Sequence, residues 1–392
     1  MKGKGRRYES SHPWLTFHLE LSPRSPSLWV FLGEAASKIE HVARVPLKPD
    51  TANEFHRLYL AKGVMATTAI EGNTLSEKEV RDRLDGRLTL PRSREYLGKE
   101  VDNIAKACNA IVEREIAQDG GRLSPQVLKD YDRVVLDGLE LAEGVVPGEV
   151  ITSSFGVGTY RSAPPEDCEY LLEKLCSWLE GEGFVMPDRP ELDLPLGIIR
   201  AILAHLYLAW IHPFGDGNGR TARLVEFHLL LRAGFPTPSA HLLSNHYNLT
   251  RTEYYRQLDS ASRSGGDVIP FLLYAAQGLV DGLREQISGI QHQHLEFAWR
   301  DYVHEQIEGT SETTKRRREL VYGLSSLKHC QAKEILPSSA LLAGLYGSKT
   351  MKTLTRDLNW LCEKGLVEKT AEGYRGKVEL IMAFVPIRKA NT

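Results

Sequence analysis

Two helical segments in the middle of the chain, separated by one short loop, constrain the fold more than any other feature. Residues 195–211 are apolar on nearly every side, and residues 220–233 keep a helical pattern until Gly234 and Pro236 stop it. A helix that is apolar all round is buried, either in a protein core or in a membrane, and the second segment ends at stop signals typical of a globular helix. We therefore predict that these two helices form the buried centre of a mainly α-helical fold, joined by the loop His212–Gly219.

Helical spacing of apolar residues predicts further helices on both sides of this pair. Ser76 followed by Glu79 is typical of a capping box at a helix start. Residues 149–161 are rich in Val, Ile, Thr and Phe and contain Gly156 and Gly158, a composition that predicts a small β-hairpin. The predicted helices cover residues 27–39, 53–71, 76–84, 95–117, 124–139, 165–179, 251–263 and 267–306, with a break allowed in the last.

Proline spacing and charge divide the chain into five segments. Five prolines interrupt residues 1–50, which we predict to be an irregular N-terminal arm. Residues 51–148 form an N-terminal helical region, residues 149–285 the core and residues 286–314 a helical linker. Residues 315–392 hold 15 Lys and Arg against 7 Asp and Glu, whereas the rest of the chain holds 34 against 44. Such asymmetry indicates a nucleic-acid-facing module at the C-terminal end.

Composition argues against a membrane protein and against a disulfide-bonded scaffold. The five cysteines are scattered and lack metal-binding spacing, so we expect reduced thiols rather than disulfides or a zinc site. By inspection, no apolar run approaches the roughly 18 residues needed to cross a bilayer. The start Met1–Ser10 is basic but lacks the apolar stretch of a signal peptide. We therefore expect a cytoplasmic protein with no membrane partner.

The central loop and the helix start after it carry side chains suited to phosphate chemistry. Gly217, Asn218 and Gly219 lie at the start of the second helix, so their backbone N–H groups and the positive helix end can bind an anion. Arg220 and Arg223 follow in its first turn. Positive charge there opposes the helix dipole by about 0.3–1 kcal/mol per group, unless an anion lies between the two side chains.

Two other side chains of the loop complete a candidate active site. Asp216 can give one oxygen ligand to Mg²⁺, which takes its other ligands from phosphates and water. His212 can remove a proton near neutral pH. In the alternative, a plain helical corner, Phe214 fills the core and Asp216 caps the second helix, while Arg223 pairs with Glu226. The convergence of a histidine, a carboxylate and two arginines favours the functional interpretation.

At these residues the sequence resembles the Fic family, whose motif is His-Pro-Phe-x-Asp/Glu-Gly-Asn-Gly/Lys-Arg-x-x-Arg. Every fixed position is matched between His212 and Arg223. The resemblance implies transfer of AMP from ATP to a Ser, Thr or Tyr hydroxyl of a target protein. It implies His212 as the base, Asp216 as the Mg²⁺ ligand and Phe214 as the anchor of the loop. It spans roughly residues 50–285 and includes residues 149–161, which are similar to the family's flap.

The same resemblance assigns the phosphate ligands. It implies that Arg220 binds the phosphates, that Arg223 binds the γ-phosphate and that Asn218 binds the transferred phosphate. Gly217 and Gly219 complete the cradle. Relatives that act as kinases on a translation factor carry Lys at the position of Gly219, so the resemblance favours transfer of AMP over transfer of phosphate.

A second motif precedes the core. Thr67 to Gly72 looks like the family's inhibitory motif, Ser/Thr-x-x-x-Glu-Gly/Asn. Glu71 is an anion at the negative end of its predicted helix, an unfavourable place that a cationic partner would relieve. The resemblance suggests Arg223 as that partner, and a salt bridge would then occupy the arginine needed for the γ-phosphate. The alternative is an ordinary solvated glutamate.

The C-terminal segment is predicted to contain three helices and a hairpin, over residues 315–327, 338–345, 348–364 and 365–385. This order resembles a winged helix-turn-helix. DNA phosphate contact is one interpretation, and a solvated or protein-docking basic face is the other. The third helix should bury Met351, Leu354, Leu358 and Leu361 and expose Lys349, Lys352 and Arg356.

Three functions are compatible with these residues. The first is a protein adenylyltransferase that uses ATP and Mg²⁺ and is inhibited by Glu71. The second is a nucleotide-responsive, DNA-binding regulator, and the third is removal of AMP, with Glu71 orienting water. An intact His212 favours the first, because a sensor needs no base. The sequence leaves open the target protein and the choice between a monomer and a homodimer.

Overall fold

A computed structural model describes residues 5–21, 25–117, 121–153, 156–157, 160–326 and 329–382. The chain divides into two compact units, residues 1–287 and 288–392. The prediction of a mainly α-helical protein with small antiparallel β-structure is confirmed. The helices that begin in the first unit are α1 (Tyr8–Ser11), α2 (Pro26–Arg44), α3 (Pro49–Ile70), α4 (Glu77–Leu84), α5 (Glu95–Ile116), α6 (Pro125–Val135), α7 (Pro165–Leu179), α8 (Asp193–Ile211), α9 (Asn218–Arg232), α10 (Thr237–Ala240), α11 (Leu242–Leu249), α12 (Arg251–Arg263) and α13 (Ile269–Gln306).

Helices α8 and α9 form the centre of the first unit, as predicted. Both are buried over most of their length, and they pack along each other. Helices α3, α5 and α6 pack against α9, whereas α2 and α7 pack against α8. The end of α8 and the start of α9 therefore lie where several helices of the N-terminal region converge.

The apolar character of α8 corrects one prediction. Residues 190–211 are long and apolar enough to cross a membrane by length and composition, so the expectation that no such run exists was wrong. In the structure 78 % of the most apolar window is buried inside the protein. The central position of the helix accounts for its composition.

Helix starts follow the predicted signals, although prolines act differently from expectation. The capping box is confirmed: the Ser76 hydroxyl accepts the Glu79 N–H, and the Glu79 carboxylate accepts the Ser76 N–H. Pro26 and Pro49 open α2 and α3 instead of interrupting a helix. Proline suits the first turn because its missing N–H would have no partner there. Helix α2 also continues to Arg44, beyond the predicted end at residue 39.

The predicted hairpin is present and adjoins the central loop. Strands β1 (Gly156–Val157) and β2 (Tyr160–Arg161) pair antiparallel, while Phe155, Gly158 and Thr159 lie outside the described residues. Just before β1, the Ile151 N–H donates to the Pro213 carbonyl (2.9 Å); just after β2, the Ala163 N–H donates to the Ile211 carbonyl (3.0 Å). Both ends of the hairpin are thus fixed to the loop between α8 and α9.

The second unit has its own hydrophobic core. Trp299, Val303 and Ile307, in the segment predicted as a linker, contribute to that core. An isolated bridge joins Cys330 to Tyr374. The remaining elements are α14 (Glu312–Ser325), α15 (Ala332–Ile335), α16 (Ala340–Tyr346), α17 (Met351–Glu363), the antiparallel strands β3 (Val367–Thr370) and β4 (Gly373–Gly376), and a 3-10 helix, Val378–Ile381. The predicted hairpin over residues 365–385 therefore ends earlier than expected.

Helix α17 differs from expectation at one apolar position. Leu354, Leu358 and Leu361 are buried as predicted, but Met351 is 49 % exposed, so its predicted place on the buried face was wrong. The buried face also holds Asp357, a carboxylate that is 0 % exposed. Met351 is the first residue of the helix, where the chain has not yet reached the core.

Candidate functional site

The loop between α8 and α9 depends on two residues with left-handed backbone. His212 has φ 51° and ψ 57°, and Gly217, at the N-cap of α9, has φ 76°. Among the residues that the structure describes, only Phe17 and His212 combine positive φ with a side chain. The left-handed region costs a non-glycine residue roughly 1–2 kcal/mol. Strain of this kind is concentrated at functional sites.

Phe214 and Asn218 hold the loop together. Phe214 is 1 % exposed and forms an isolated β-bridge with Val150. The Phe214 N–H donates to Asn218 Oδ1 (2.9 Å), and Asn218 Nδ2 donates to the Phe214 carbonyl (2.7 Å). The position of Phe214 fits its predicted role as anchor. Both polar atoms of the Asn218 side chain are used inside the loop. In this arrangement, the backbone N–H of Asn218 is the group left for the predicted phosphate contact.

The two arginines near the start of α9 are buried and bound to carboxylates. Arg223, 2 % exposed, donates to Glu71 Oε1 (2.6 Å) and to the Thr67 carbonyl (3.0 Å). Arg220, 5 % exposed, donates to Glu100 Oε1 (3.3 Å) and to Asp216 Oδ1 (3.1 Å). The salt bridge suggested between Glu71 and Arg223 is therefore present.

The alternative pairing of Arg223 with Glu226 is not found. Glu226 lies on the buried side of α9, where it accepts a hydrogen bond from the Tyr247 hydroxyl (2.9 Å) and approaches His205 Nδ1 (3.2 Å). The spacing of three residues on one helix allowed this pair, but buried partners from α11 and α8 take Glu226 instead.

Both arginines keep one buried donor without an acceptor. Among the described residues, Nε of Arg220 and Nε of Arg223 make no hydrogen bond. An unsatisfied buried donor costs about 1–3 kcal/mol, and more for a charged group. Both arginines lie near the start of α9, whose backbone N–H groups also favour an anion. Phosphate oxygens would satisfy both features.

Glu71 places its own carboxylate against this anion site. A β-carbon on residue 219 would collide with Glu71 Oε1, so only glycine at that position permits the present contact. Burial raises the pKa of Glu71, but the charge and hydrogen bond of Arg223, with Arg220 and His212 nearby, outweigh burial and lower the pKa overall. Glu71 is thus an ionised carboxylate at the place predicted for phosphate.

The imidazole of His212 is suited to accept a proton. Burial lowers its pKa from 6.5, opposed by a hydrogen bond with the Ala209 carbonyl and by the charges of Glu71 and Asp216. The ring is therefore mainly neutral at neutral pH. A neutral imidazole has one ring nitrogen without a proton, and that nitrogen can act as the base.

Asp216 is the candidate Mg²⁺ ligand of the loop. Its side chain is 52 % exposed, and its Oδ1 accepts hydrogen bonds from the Gly217 N–H (2.6 Å) and Arg220 (3.1 Å). Within the described ranges, no group of three or more His, Cys, Asp or Glu side chains is arranged to hold a metal ion. One carboxylate suits Mg²⁺ only when phosphates and water supply the other ligands. The residues fit a metal that arrives with a nucleotide.

Two acidic residues at the site, one buried and one half-buried, were not predicted. Asp132 is 0 % exposed, accepts the Gly148 N–H (2.8 Å) and contacts Thr221 Oγ1 (3.5 Å). Burial raises its pKa to about 7. The other is Glu100, the partner of Arg220. Asp132 lies within the apolar stripe of its helix, between Leu128 and Val135, and Glu100 lies beside the stripe formed by Leu97, Val101 and Ile104. Sequence inspection could have used both signals.

Comparisons with known proteins agree with this geometry. The Fic/DOC family matches residues 122–230. The chain is 33 % identical over 231 residues to protein adenylyltransferase fic-1 of Caenorhabditis briggsae, and 32 % identical over 228 residues to that of Caenorhabditis elegans. Each alignment covers 58 % of this chain and 41 % of the relative. The chain thus spans less than half the length of these relatives.

Solved structures extend the likeness to most of the chain. Fic-1 of C. elegans, covering amino acids 134–508, superposes with a TM-score of 0.56 at 26 % identity, over 69 % of this chain and 74 % of that one. A Fic family protein from Desulfovibrio desulfuricans G20 superposes with a TM-score of 0.56 over 92 % of this chain and 97 % of that one; at 20 % identity it supports the fold alone. The family match, the fold and the loop thus coincide on the segment from α6 to α9, and this segment is similar to the Fic/DOC family.

Proposed function

We propose that this protein is a protein adenylyltransferase that moves AMP from ATP to a Ser, Thr or Tyr hydroxyl of a target protein. The observation that carries the proposal is the pair of buried, unsatisfied Nε donors on Arg220 and Arg223, beside a neutral His212 and the N-terminus of α9. The names of the similar worm proteins support the same activity.

In the proposed reaction, the residues of the loop and of α9 have separate roles in proton removal, phosphate binding and metal binding. The free nitrogen of His212 takes the proton of the target hydroxyl, whose oxygen attacks the α-phosphorus. The bond from the α-phosphorus to the oxygen shared with the β-phosphate breaks, and pyrophosphate leaves. Arg220, Arg223 and the first-turn N–H groups bind the phosphate oxygens. Mg²⁺ held by Asp216 would neutralise charge on the phosphates.

We further propose that Glu71 inhibits this reaction. Its carboxylate occupies Arg223 and lies against Gly219, so the γ-phosphate cannot take its place beside that arginine. ATP that binds beside an intact salt bridge would have its α-phosphorus out of line with the incoming hydroxyl. Release of Glu71 is then the step that activates the enzyme.

Replacing Glu71 tests both statements. We expect Glu71→Gly to raise self-modification by ATP labelled at the α-phosphate by about tenfold or more, since a hydrogen bond to a charged group contributes about 1.5–3 kcal/mol. Arg223→Ala should stay inactive, and so should the double variant. Both lose the inhibitory salt bridge, but they also lose the side chain that binds the γ-phosphate. Incorporated label is compared across the four proteins.

Two outcomes of that comparison count against the proposal. If Glu71→Gly incorporates no more label than the unmodified chain, inhibition by Glu71 is refuted. In the other outcome, the chain without substitutions releases AMP from a target that already carries it, while Glu71→Gly does not. AMP removal, with Glu71 orienting water, is then the better assignment.

A second proposal concerns α17. Lys352 and Arg356 are exposed on its outer face, and Lys349 is exposed just before it, as the interpretation of a winged helix-turn-helix requires. We propose that these side chains contact the phosphates of duplex DNA. Arg316 and Arg317 cannot take part in their present positions, because both donate to the buried Asp357 carboxylate.

The DNA proposal is tested on the full chain by fluorescence anisotropy with a labelled duplex at several salt concentrations. Removing one cation that binds a DNA phosphate should reduce the slope of log affinity against log salt by about 0.9. Lys352→Ala with Arg356→Ala should therefore flatten the slope by nearly 2. Lys333→Ala, an exposed lysine on α15, is the matched control. Equal slopes in all three proteins, or no binding at low salt, would favour protein docking.

A further inference from the structure

Glu100 links the first turn of α9 to the turn that follows Glu71, two parts of the site that belong to different sequence motifs. It belongs to α5, outside the loop, and its Oε1 accepts a hydrogen bond from Arg220 Nη1 (3.3 Å). Its Oε2 accepts a hydrogen bond from Asn73 Nδ2 (2.8 Å). One carboxylate is therefore shared between the first turn of α9 and the segment that follows Glu71.

Asn73 makes the turn after Glu71 a defined structure. It is 7 % exposed, its Nδ2 also donates to the Leu97 carbonyl (3.0 Å), and its Oδ1 accepts the Leu75 N–H (3.0 Å). Its backbone N–H donates to the Thr68 carbonyl in the last turn of α3 (3.1 Å). A displacement of the end of α3 would therefore move Asn73, and with it the hydrogen bond to Glu100.

We infer that Glu100 is a second regulatory carboxylate, a positioning residue that holds Arg220 away from nucleotide phosphates while the turn after Glu71 is docked. The inference rests on the proposed function, since it takes Arg220 to be a phosphate ligand. The end of α3 then controls both arginines: Arg223 directly through Glu71, and Arg220 through Asn73 and Glu100.

The negative charge of Glu100 determines whether this residue weakens or strengthens nucleotide binding. Arg220 has one terminal nitrogen on Glu100 and the other on Asp216, so phosphate oxygens have to compete with two carboxylates for one guanidinium group. A carboxylate this close to the phosphates also repels them, and like charges interact strongly where exposure is low. The Glu100 side chain is 19 % exposed. Neutralising it should therefore favour nucleotide binding.

The test measures ATP affinity without turnover, by calorimetry in the presence of Mg²⁺ on full-length chains that all carry His212→Ala. We expect Glu100→Gln to bind ATP about threefold to tenfold more tightly than the parent, because one repelling charge is removed. Asn73→Ala should tighten binding by a smaller factor. The double variant should match Glu100→Gln alone, because Asn73 acts through Glu100 and the two effects are then not additive.

Controls separate this role from a purely structural one. Glu113→Gln removes an exposed carboxylate from the same helix and should leave ATP affinity unchanged. A structural role for Glu100 would lower the thermal midpoint without tightening ATP binding. Affinity of Glu100→Gln equal to or weaker than that of Glu113→Gln, or independent effects of the Asn73 and Glu100 changes, would overturn the inference.

Including Glu71→Gly separates failure of this inference from failure of the proposed function. If Glu71→Gly binds ATP more tightly while Glu100→Gln does not, the proposed function stands and only the role of Glu100 fails. If none of the variants binds ATP, the proposed function fails, and the role of Glu100 fails with it.

Discussion

His212 combines two demands that a single residue rarely meets. Its left-handed backbone ends α8, and its side chain supplies the base of the proposed reaction. We expect His212→Ala, made in the Glu71→Gly chain, to lower the transfer rate by about 100-fold to 10,000-fold, the usual contribution of a general base. ATP affinity should change little, because the phosphate ligands are arginines and backbone N–H groups. Rates and ATP dissociation constants are measured on the same preparations.

A parallel loss of ATP affinity and rate would contradict that division of labour. It would mean that the substitution at the left-handed position had disturbed the phosphate cradle in addition to removing a base. His212→Asn offers a check, because asparagine tolerates the left-handed region better than alanine and still lacks the basic nitrogen.

Asp216 should behave in the opposite way. Since its carboxylate is the proposed protein ligand of Mg²⁺, Asp216→Ala should weaken ATP binding in the presence of Mg²⁺ and leave metal-free binding almost unchanged. Calorimetric titrations with Mg²⁺ and with a chelator measure both. If the variant keeps the Mg²⁺ dependence of the parent, the metal assignment is wrong.

At the scale of elements, α6 and α9 meet at a carboxyl group that opposes stability at neutral pH. Burial raises the pKa of Asp132 from 3.8 to about 7, so between these values the folded chain holds a proton that the unfolded chain has lost. Stability therefore falls as pH rises from about 4 to about 7, and the penalty is complete above the folded pKa.

Asp132→Asn should remove that penalty, because the amide cannot ionise and can still accept the Gly148 N–H. Its free energy of unfolding, measured by urea denaturation, should rise relative to the parent by on the order of 3 kcal/mol between pH 4.5 and pH 8. A relative stability that is independent of pH would show that Asp132 ionises normally in the folded protein.

Elements with strong periodicity were predictable from sequence, and those that depend on tertiary contacts were not. The central pair α8 and α9 was predicted from composition alone. Helices α10 and α11 were missed because they are short and bury polar residues such as Ser239 and Ser244. The break allowed in residues 267–306 is absent, since α13 runs unbroken from Ile269 to Gln306.

In the site too, some residues were predictable from the sequence and others were not. The loop from His212 to Arg223 is contiguous in sequence, so its motif identified the residues that converge on α9. Glu100 and Asp132 come from helices far away along the chain, and nothing in their neighbouring residues names a partner. Their only local signal is a charge within or beside an apolar stripe, which does not reveal what that charge will meet.

At the scale of the whole molecule, the excess of positive charge in the sequence overstates the basic surface of the second unit. Arg318 donates to the carbonyls of Ile307 and Gly309, and Arg375 is paired with Glu368 and Glu379. These arginines are already paired inside the unit, whereas a count from the sequence includes them as if they were free. The proposed contact with DNA therefore rests on the exposed cations of α17 and not on the excess over residues 315–392.

The contact between Gly219 and Glu71 also has a meaning for the descent of such proteins. Any side chain at position 219 would occupy the space of the Glu71 carboxylate. A lineage that acquires a larger residue at 219 has to displace its glutamate, and one that loses the glutamate is freed to vary at 219. The two positions, so far apart in the gene, should therefore change together among the descendants of a common ancestor.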